Sequence, residues 1–230
     1  MCGRYNLITD AGSWLDAFGI SAEAIGGSGA GFARYNIAPG TEQPVVLATE
    51  TGREARSFHW GLIPRWAKDR SIGYKTTNAR GETAATRPAF RAAFRHRRCL
   101  VPATGYYEWK TIAGKKQPYL IGISGGALFA MAGLWEFWQG PQGEVRSFTI
   151  ITTAPSALAA TIHDRMPVIL PRRHYDRWLD PRLGDPAQVQ ALITSYPAGE
   201  MTAFAVSMRL NDARNQGAEV IERVRIGGEA

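Results

Sequence analysis

From Pro44 onward, apolar and β-branched residues come in short runs split by turn residues, and this pattern most narrows the architectures open to the chain. The runs are Val45–Ala48, Ser57–Leu62, Cys99–Pro102, Tyr106–Trp109, Tyr119–Ile123, Leu128–Trp135 and Ser147–Thr152. Segments this short and this rich in β-branched and aromatic residues read as strands. Helical patterns are few: Asp10 to Phe18, Arg87 to Arg97, Arg173–Leu179 and Pro186–Ser195. The last opens on Asp185-Pro186, a carboxylate suited to capping followed by a proline at the first helical position. A parallel-sheet enzyme would alternate strand and helix regularly, which this chain does not do. The expectation is an α+β fold, with a mainly antiparallel sheet or barrel-like core flanked by short helices.

At 230 residues the chain can bury a substantial core, and the reading favours one domain over residues 2–230. Apolar residues make up 45% and charged residues 20%, which is ordinary for a globular protein and argues against disorder. No apolar run approaches the roughly 20 residues that cross a bilayer, and neither a signal peptide nor a membrane anchor is evident. Two cysteines, Cys2 and Cys99, make a disulfide framework improbable and fit a cytoplasmic location. The glycine-rich stretch Gly26 to Gly31 reads as a mobile surface loop and lacks the GxGxxG spacing of a phosphate cradle. A net charge of +7 points to an anionic partner, nucleic acid before membrane. Arg87, Arg91, Arg95, His96, Arg97 and Arg98 carry much of that charge, either as a nucleic-acid surface or as a solvated helix face.

The chain starts Met1-Cys2-Gly3-Arg4. Loss of Met1 would leave an α-amine and a thiol on neighbouring carbons, titrating at about 8 and about 8.5 in unmodified form. Such a 1,2-aminothiol condenses with an aldehyde, first as an imine and then as a five-membered thiazolidine. Two further segments set titratable residues in apolar frames. In Gly105-Tyr106-Tyr107-Glu108-Trp109, Glu108 is either a solvent-facing residue of an amphipathic strand or a buried carboxylate with a raised pKa. In His163-Asp164-Arg165-Met166-Pro167, His163 is either a structural hydrogen-bonder or a catalyst, and with Cys2 it could form a papain-like pair. The four histidines and two cysteines show no metal-ligand spacing, and no Gly-x-Ser-x-Gly elbow is present. No metal or cofactor is expected.

Taken together, these segments resemble the SOS response-associated peptidase family, whose members shield abasic sites in single-stranded DNA. The resemblance rests on Met-Cys-Gly-Arg at the start, Tyr35-Asn36-Ile37-Ala38-Pro39-Gly40, Trp60-Gly61-Leu62-Ile63-Pro64, Asn78-Ala79-Arg80-Gly81-Glu82-Thr83, Arg98-Cys99-Leu100-Val101-Pro102-Ala103, the Glu108 segment and the His163 segment, in family order. After about Pro171 only Val206-Ser207 and Asn211 look familiar. The resemblance implies a positively charged DNA-binding groove, loss of Met1, and Cys2 as nucleophile. It also implies that Asn78 and Glu108 lie beside the Cys2 amine, that His163 acts on the abasic sugar, and that Arg4, Arg80, Arg165, Asn36, Pro39 and Trp66 contact DNA. Trp66 is read either as a base-stacking surface or as a buried structural residue.

The function expected is covalent capture of abasic sites in single-stranded DNA by a monomer that is nucleoid-associated when bound. An autoprocessing thiol peptidase that uses Cys2 to remove Met1 is the alternative, and a non-covalent single-strand binder with an incidental Cys2 is a third reading.

Overall fold

A computed structural model of the chain describes residues 2–21 and 32–226, and the loop expected at Gly26 to Gly31 lies outside the described residues. In chain order the elements are β1 (Arg4–Thr9), α1 (Ala11–Phe18), β2 (Phe32–Ile37), β3 (Glu42–Thr49), β4 (Gly52–Trp60), β5 (Asn78–Arg80), α2 (Gly81–Ala84), α3 (Arg91–His96), β6 (Arg98–Ala103), β7 (Gly105–Ile112) and β8 (Lys115–Ile123). They continue as β9 (Phe129–Gly140), β10 (Gly143–Thr153), α4 (Ala157–Ala160), β11 (Met166–Pro167), β12 (Ile169–Leu170), α5 (Tyr175–Leu179), α6 (Pro186–Gln190) and β13 (Met201–Ala205). The fold is α+β, mostly antiparallel, with short helices.

The strands form two units. An antiparallel sheet runs in the order β13-β8-β7-β1-β2. In the other unit, β10 pairs with β4, β4 with β3, β3 with β6, β6 with β9, and β9 again with β10, so five strands close into a barrel. The antiparallel expectation needs one refinement, because β4 and β5 both run parallel to β10. A long connection between β4 and β10 permits that direction, which a tight hairpin would forbid.

Burial follows from closure. Every residue of β6 and the last seven residues of β10 are buried, since one face lines the barrel and the other is covered. Gly133 is where β6, β9 and β10 crowd: a Cβ there would stand 2.7 Å from Cys99 Sγ and 2.8 Å from Val101 Cγ2. Tyr5 of β1 meets Trp60 of β4 edge-on, with ring centroids 5.2 Å apart, and Trp60 stacks on Phe148 of β10, so the sheet is joined to the barrel through aromatic contacts.

The helices are shorter than the sequence implies. Asp10 caps α1 as expected, its Oδ1 accepting from the Ser13 N–H at 2.8 Å, and Asp185 caps α6 by accepting from the Ala187 N–H at 2.9 Å. The expected helix from Arg87 to Arg97 is regular only in α3, since the chain around Pro88 is laid out in turns. Likewise α6 stops at Gln190, short of Ser195, and the chain from Arg172 to His174 is a 3-10 turn before α5.

Candidate active site

Four separated stretches meet where the sheet abuts the barrel. Cys2 precedes β1, which pairs with β7 in the register Arg4↔Tyr107 and Tyr5↔Tyr106, so the chain start is brought alongside Glu108. From the barrel side, β5 lies on β10 with Ile150 opposite Asn78 and Thr152 opposite Arg80. The strand β11 pairs with the same end of β10, Thr152 opposite Pro167, and so delivers the turn carrying His163 and Arg165. The Asn78 Nδ2–H donates to the Cys2 carbonyl at 2.8 Å, joining the two units.

The electrostatics of this junction are set by burial. Cys2 is fully buried. Its thiol is held protonated well above the ordinary thiol range, first by desolvation and second by the negative charge of Glu108. Glu108 is 3% exposed, which resolves its two readings in favour of the buried carboxylate. Desolvation pushes its pKa up to about 7, and the charge of Asp164 adds to the rise. His163 Nε2 stands 3.8 Å from Glu108 Oε2. On the other side of the ring, Nδ1 accepts from the Arg165 backbone N–H at 3.0 Å and also lies 2.9 Å from Asp164 Oδ1. The backbone donor demands an unprotonated Nδ1, whereas the carboxylate would favour a proton there; the Asp164 carboxylate is 89% exposed and free to turn away, so the fixed backbone contact decides the neutral tautomer. That tautomer carries its proton on Nε2, toward Glu108. Desolvation lowers the His163 pKa below the ordinary histidine value, which keeps the ring neutral at pH 7.

Burial has a further effect on this neighbourhood. The hydroxyls of Tyr5 and Tyr106 and the Oδ1 of Asn78 are buried with no hydrogen-bond partner among the described residues. Both tyrosines are electrostatically coupled to Cys2, and their pKa values are raised chiefly by burial. Unpaired buried polar atoms cost stability and are uncommon, so three of them around one side chain mark a site built for polar contact.

The residues expected at DNA separate into two groups. Arg80 is exposed, and Trp66 is 60% exposed, which settles it as a surface residue. Trp66 sits on the loop between β4 and β5, whose neck is closed by Gly61 and Gly73; a Cβ on Gly61, at φ +134°, would come within 2.7 Å of the Gly73 carbonyl. Pro39 is half-buried in a turn. The other three face inward. Arg165 forks onto Glu82, at 2.6 and 2.9 Å, and also donates to the Thr152 carbonyl at 2.7 Å. Asn36 is fully buried, its Nδ2 donating to the carbonyls of Leu210, Asp212 and Asn215 at 3.0–3.2 Å. Arg4 donates to Asn36 Oδ1 at 2.8 Å, to the Leu210 carbonyl at 2.6 Å and to the Asn211 carbonyl at 3.2 Å. In the basic cluster, Arg87, Arg91, Arg95 and His96 are exposed, Arg97 pairs with Glu136 at 2.7 Å, and Arg98 is buried and donates to the carbonyls of Phe94, Arg95 and Trp178 at 2.6–2.7 Å.

Sequence reasoning did not pick out Glu82 as the partner of Arg165, Thr152 as its second support, or Tyr5 beside Cys2. Glu82 lies inside a motif already singled out, so an acidic residue there was a signal for a cationic partner; nothing local marks Thr152 or Tyr5. Among the described residues, no three His, Cys, Asp or Glu side chains group closely enough to hold a metal ion, and no helix is long and apolar enough to cross a membrane.

Comparison with known proteins places this geometry. The chain is 40% identical over 224 residues to the abasic site processing protein YoqW of Bacillus subtilis (strain 168), covering 96% of this chain and 99% of that protein. It is 32% identical over 222 residues to the abasic site processing protein HMCES of Xenopus tropicalis, covering 83% of this chain and 66% of that one. A crystal structure of a protein from Bacteroides thetaiotaomicron shares the fold with a TM-score of 0.85 at 27% identity, covering 97% of this chain and all of the other. The family model described as SOS response associated peptidase (SRAP) matches residues 1–213, and the chain belongs to that family.

Proposed function

We propose that this protein handles abasic sites in DNA, and that it does so by covalent capture in single-stranded DNA through the α-amine and thiol of Cys2 after Met1 is removed. The carrying observation is the convergence of Cys2, Asn78, Glu108 and His163 from four stretches of sequence, with Asn78 bonded to the Cys2 backbone and His163 facing Glu108. The abasic-site processing named for the relatives supports the same reading.

Each step has a group suited to it. Abasic deoxyribose is mostly a closed hemiacetal; as it opens, the anomeric hydroxyl gives its proton to the Glu108 carboxylate, which returns it to the ring oxygen, while the Nε2–H of neutral His163 hydrogen-bonds that oxygen as the C–O bond breaks. The Cys2 amine attacks that aldehyde carbon, a C–N bond forms, and the carbinolamine loses its oxygen as water to give an imine. Asn78 Oδ1, an open acceptor beside Cys2, holds the nitrogen-bound hydrogen through this step. The Cys2 sulfur then adds to the imine carbon, and its proton passes to the nitrogen, closing the thiazolidine. With its pKa at about 7, Glu108 both accepts and returns a proton near neutral pH, which the buried, protonated thiol requires. The net change is the loss of one water. Arg80 grips a flanking phosphate and Trp66 stacks on a base, being the exposed cation and aromatic of the set. The acting species is one domain and one copy of the chain, and needs no metal or cofactor.

Mixing the mature protein with abasic single-stranded DNA is expected to give a heat-stable adduct without added reductant. Cys2→Ala abolishes it, while Cys2→Ser leaves chiefly an imine that borohydride must trap. Absence of adduct from protein confirmed to start at Cys2 contradicts the proposal.

A further inference from the structure

We infer that Arg4 is a positioning residue for the Cys2 aminothiol, held by the loop from Ser207 to Gln216, and that its guanidinium does not serve as a phosphate ligand. The inference rests on the proposed use of Cys2. The Arg4 guanidinium donates to the amide oxygen of Asn36 and to the carbonyls of Leu210 and Asn211. Three of the five guanidinium N–H donors are thereby committed to oxygens of the protein, which turn the group toward the loop before any DNA arrives.

The loop itself is shaped for this grip. Its backbone rolls so that the Leu210, Asn211, Asp212 and Asn215 carbonyls converge on Arg4 and Asn36, whose own carbonyl in turn accepts from Gln216 Nε2 at 2.8 Å. On its other side, the loop is held by the Trp109 indole N–H, which donates to Asn211 Oδ1 at 2.7 Å. The loop therefore ties the first residue of β1 to the residue next to Glu108. Cys2 and Gly3 lie before the strand, where ladder bonds no longer fix the backbone, and the Cys2 thiol lies 3.8 Å from the Arg4 carbonyl. Arg4 is thus the last ladder-paired residue before Cys2, whose carbonyl Asn78 holds from the barrel side, and the Arg4↔Tyr107 register brings Cys2 alongside Glu108. Misplacing a reacting group by about 1 Å is enough to slow a step by up to a hundredfold.

The test uses mature protein, with loss of Met1 confirmed by mass, and two probes: abasic single-stranded DNA, and 2-deoxyribose, which opens from its own closed rings to the same reacting aldehyde and carries no phosphate. Arg4→Gln is expected to slow adduct formation about tenfold with both probes. In a Cys2→Ala background it is expected to leave affinity for intact single-stranded DNA, and the salt dependence of that affinity, unchanged. A loss of DNA affinity with a shallower salt slope and an unaltered 2-deoxyribose rate would make Arg4 a phosphate ligand and overturn the inference, as would unchanged rates with both probes. Should Arg4→Gln fail to fold, Trp109→Phe removes the loop's other anchor while keeping the ring; a similar slowing with both probes supports the inference and unchanged rates overturn it. A wild-type protein that forms no adduct with abasic DNA instead refutes the proposed function itself.

Discussion

Two glutamates, Glu108 on β7 and Glu136 on β9, sit in near-identical surroundings by sequence: Tyr106-Tyr107-Glu108-Trp109 and Leu134-Trp135-Glu136-Phe137. Both are buried, at 3% and 4% exposure. Glu136 is paired with Arg97 at 2.7 Å and accepts from the Phe137 N–H at 3.1 Å, so its charge is matched where it sits. Glu108 faces His163 at 3.8 Å, lies beside Cys2, and holds its proton up to about pH 7. An acid set among aromatics is therefore not in itself a sign of chemistry. What separates the two is whether the fold supplies a permanent cation or a group that exchanges protons.

Exchanging each carboxylate for its amide breaks the comparison most sharply. Glu108→Gln is expected to slow adduct formation on abasic DNA about a hundredfold without lowering the melting temperature. Glu136→Gln leaves Arg97 partly buried without its partner and is expected to cost about 2 kcal/mol of stability, discounted for the partial exposure of Arg97, with the adduct rate retained below melting. Rates and melting curves on both variants check this, and a stability loss in the first or a rate loss in the second would contradict the assignment.

The pH dependence of stability is the second test. Folding raises the Glu108 pKa from 4.5 to about 7, so the folded state binds this proton more tightly than the unfolded chain. Its stabilising contribution is complete below about pH 4.5 and is lost as pH rises through about 7. Thermal melts should therefore show Glu108→Gln equal to the wild type at pH 4.5 and more stable at pH 8; equality at both would mean that Glu108 is not desolvated.

His163 should matter less, and selectively. His163→Gln is expected to slow capture of the closed abasic sugar about tenfold and to spare reaction with a small open-chain aldehyde, since only the former needs ring opening. Equal slowing of both reactions would move His163 to a later proton transfer. The smallest effect belongs to Arg80→Gln, which should reduce the slope of log affinity against log salt for single-stranded DNA by about 0.7, the share of one phosphate contact. A titration series in Cys2→Ala protein reads it directly, and an unchanged slope would remove Arg80 from the DNA surface.

Much of this molecule was legible in the sequence, and the illegible parts share a physical cause. Five of the seven β-rich runs fall within strands, and Ser57–Leu62 and Leu128–Trp135 overrun theirs by two residues and one, because burial on two faces leaves near-continuous apolar residues. By contrast, β1 (Arg-Tyr-Asn-Leu-Ile-Thr) and β2 (Phe-Ala-Arg-Tyr-Asn-Ile) read poorly, because Arg4 and Asn36 in them are satisfied by partners more than a hundred positions away, in the loop that carries Leu210. Helix starts could be located from Asp10 and Asp185, whose capping is local. Their ends could not, since tertiary packing truncates a six-residue α3 and a five-residue α6. At the site, Cys2, Asn78, Glu108 and His163 were singled out by motif. The inward turn of Arg4, Asn36 and Arg165 was not visible, because an arginine or asparagine in a polar segment gives no hint of whether phosphate or the protein's own oxygens will occupy it.

The central claim is that Cys2 acts through both of its nucleophiles, and intact mass spectrometry of the adduct with abasic single-stranded DNA tests it most directly. The mass predicted is that of the chain without Met1 plus the DNA strand minus one water, surviving heat without reductant. An adduct that retains Met1, or one that appears only after borohydride treatment, would contradict it.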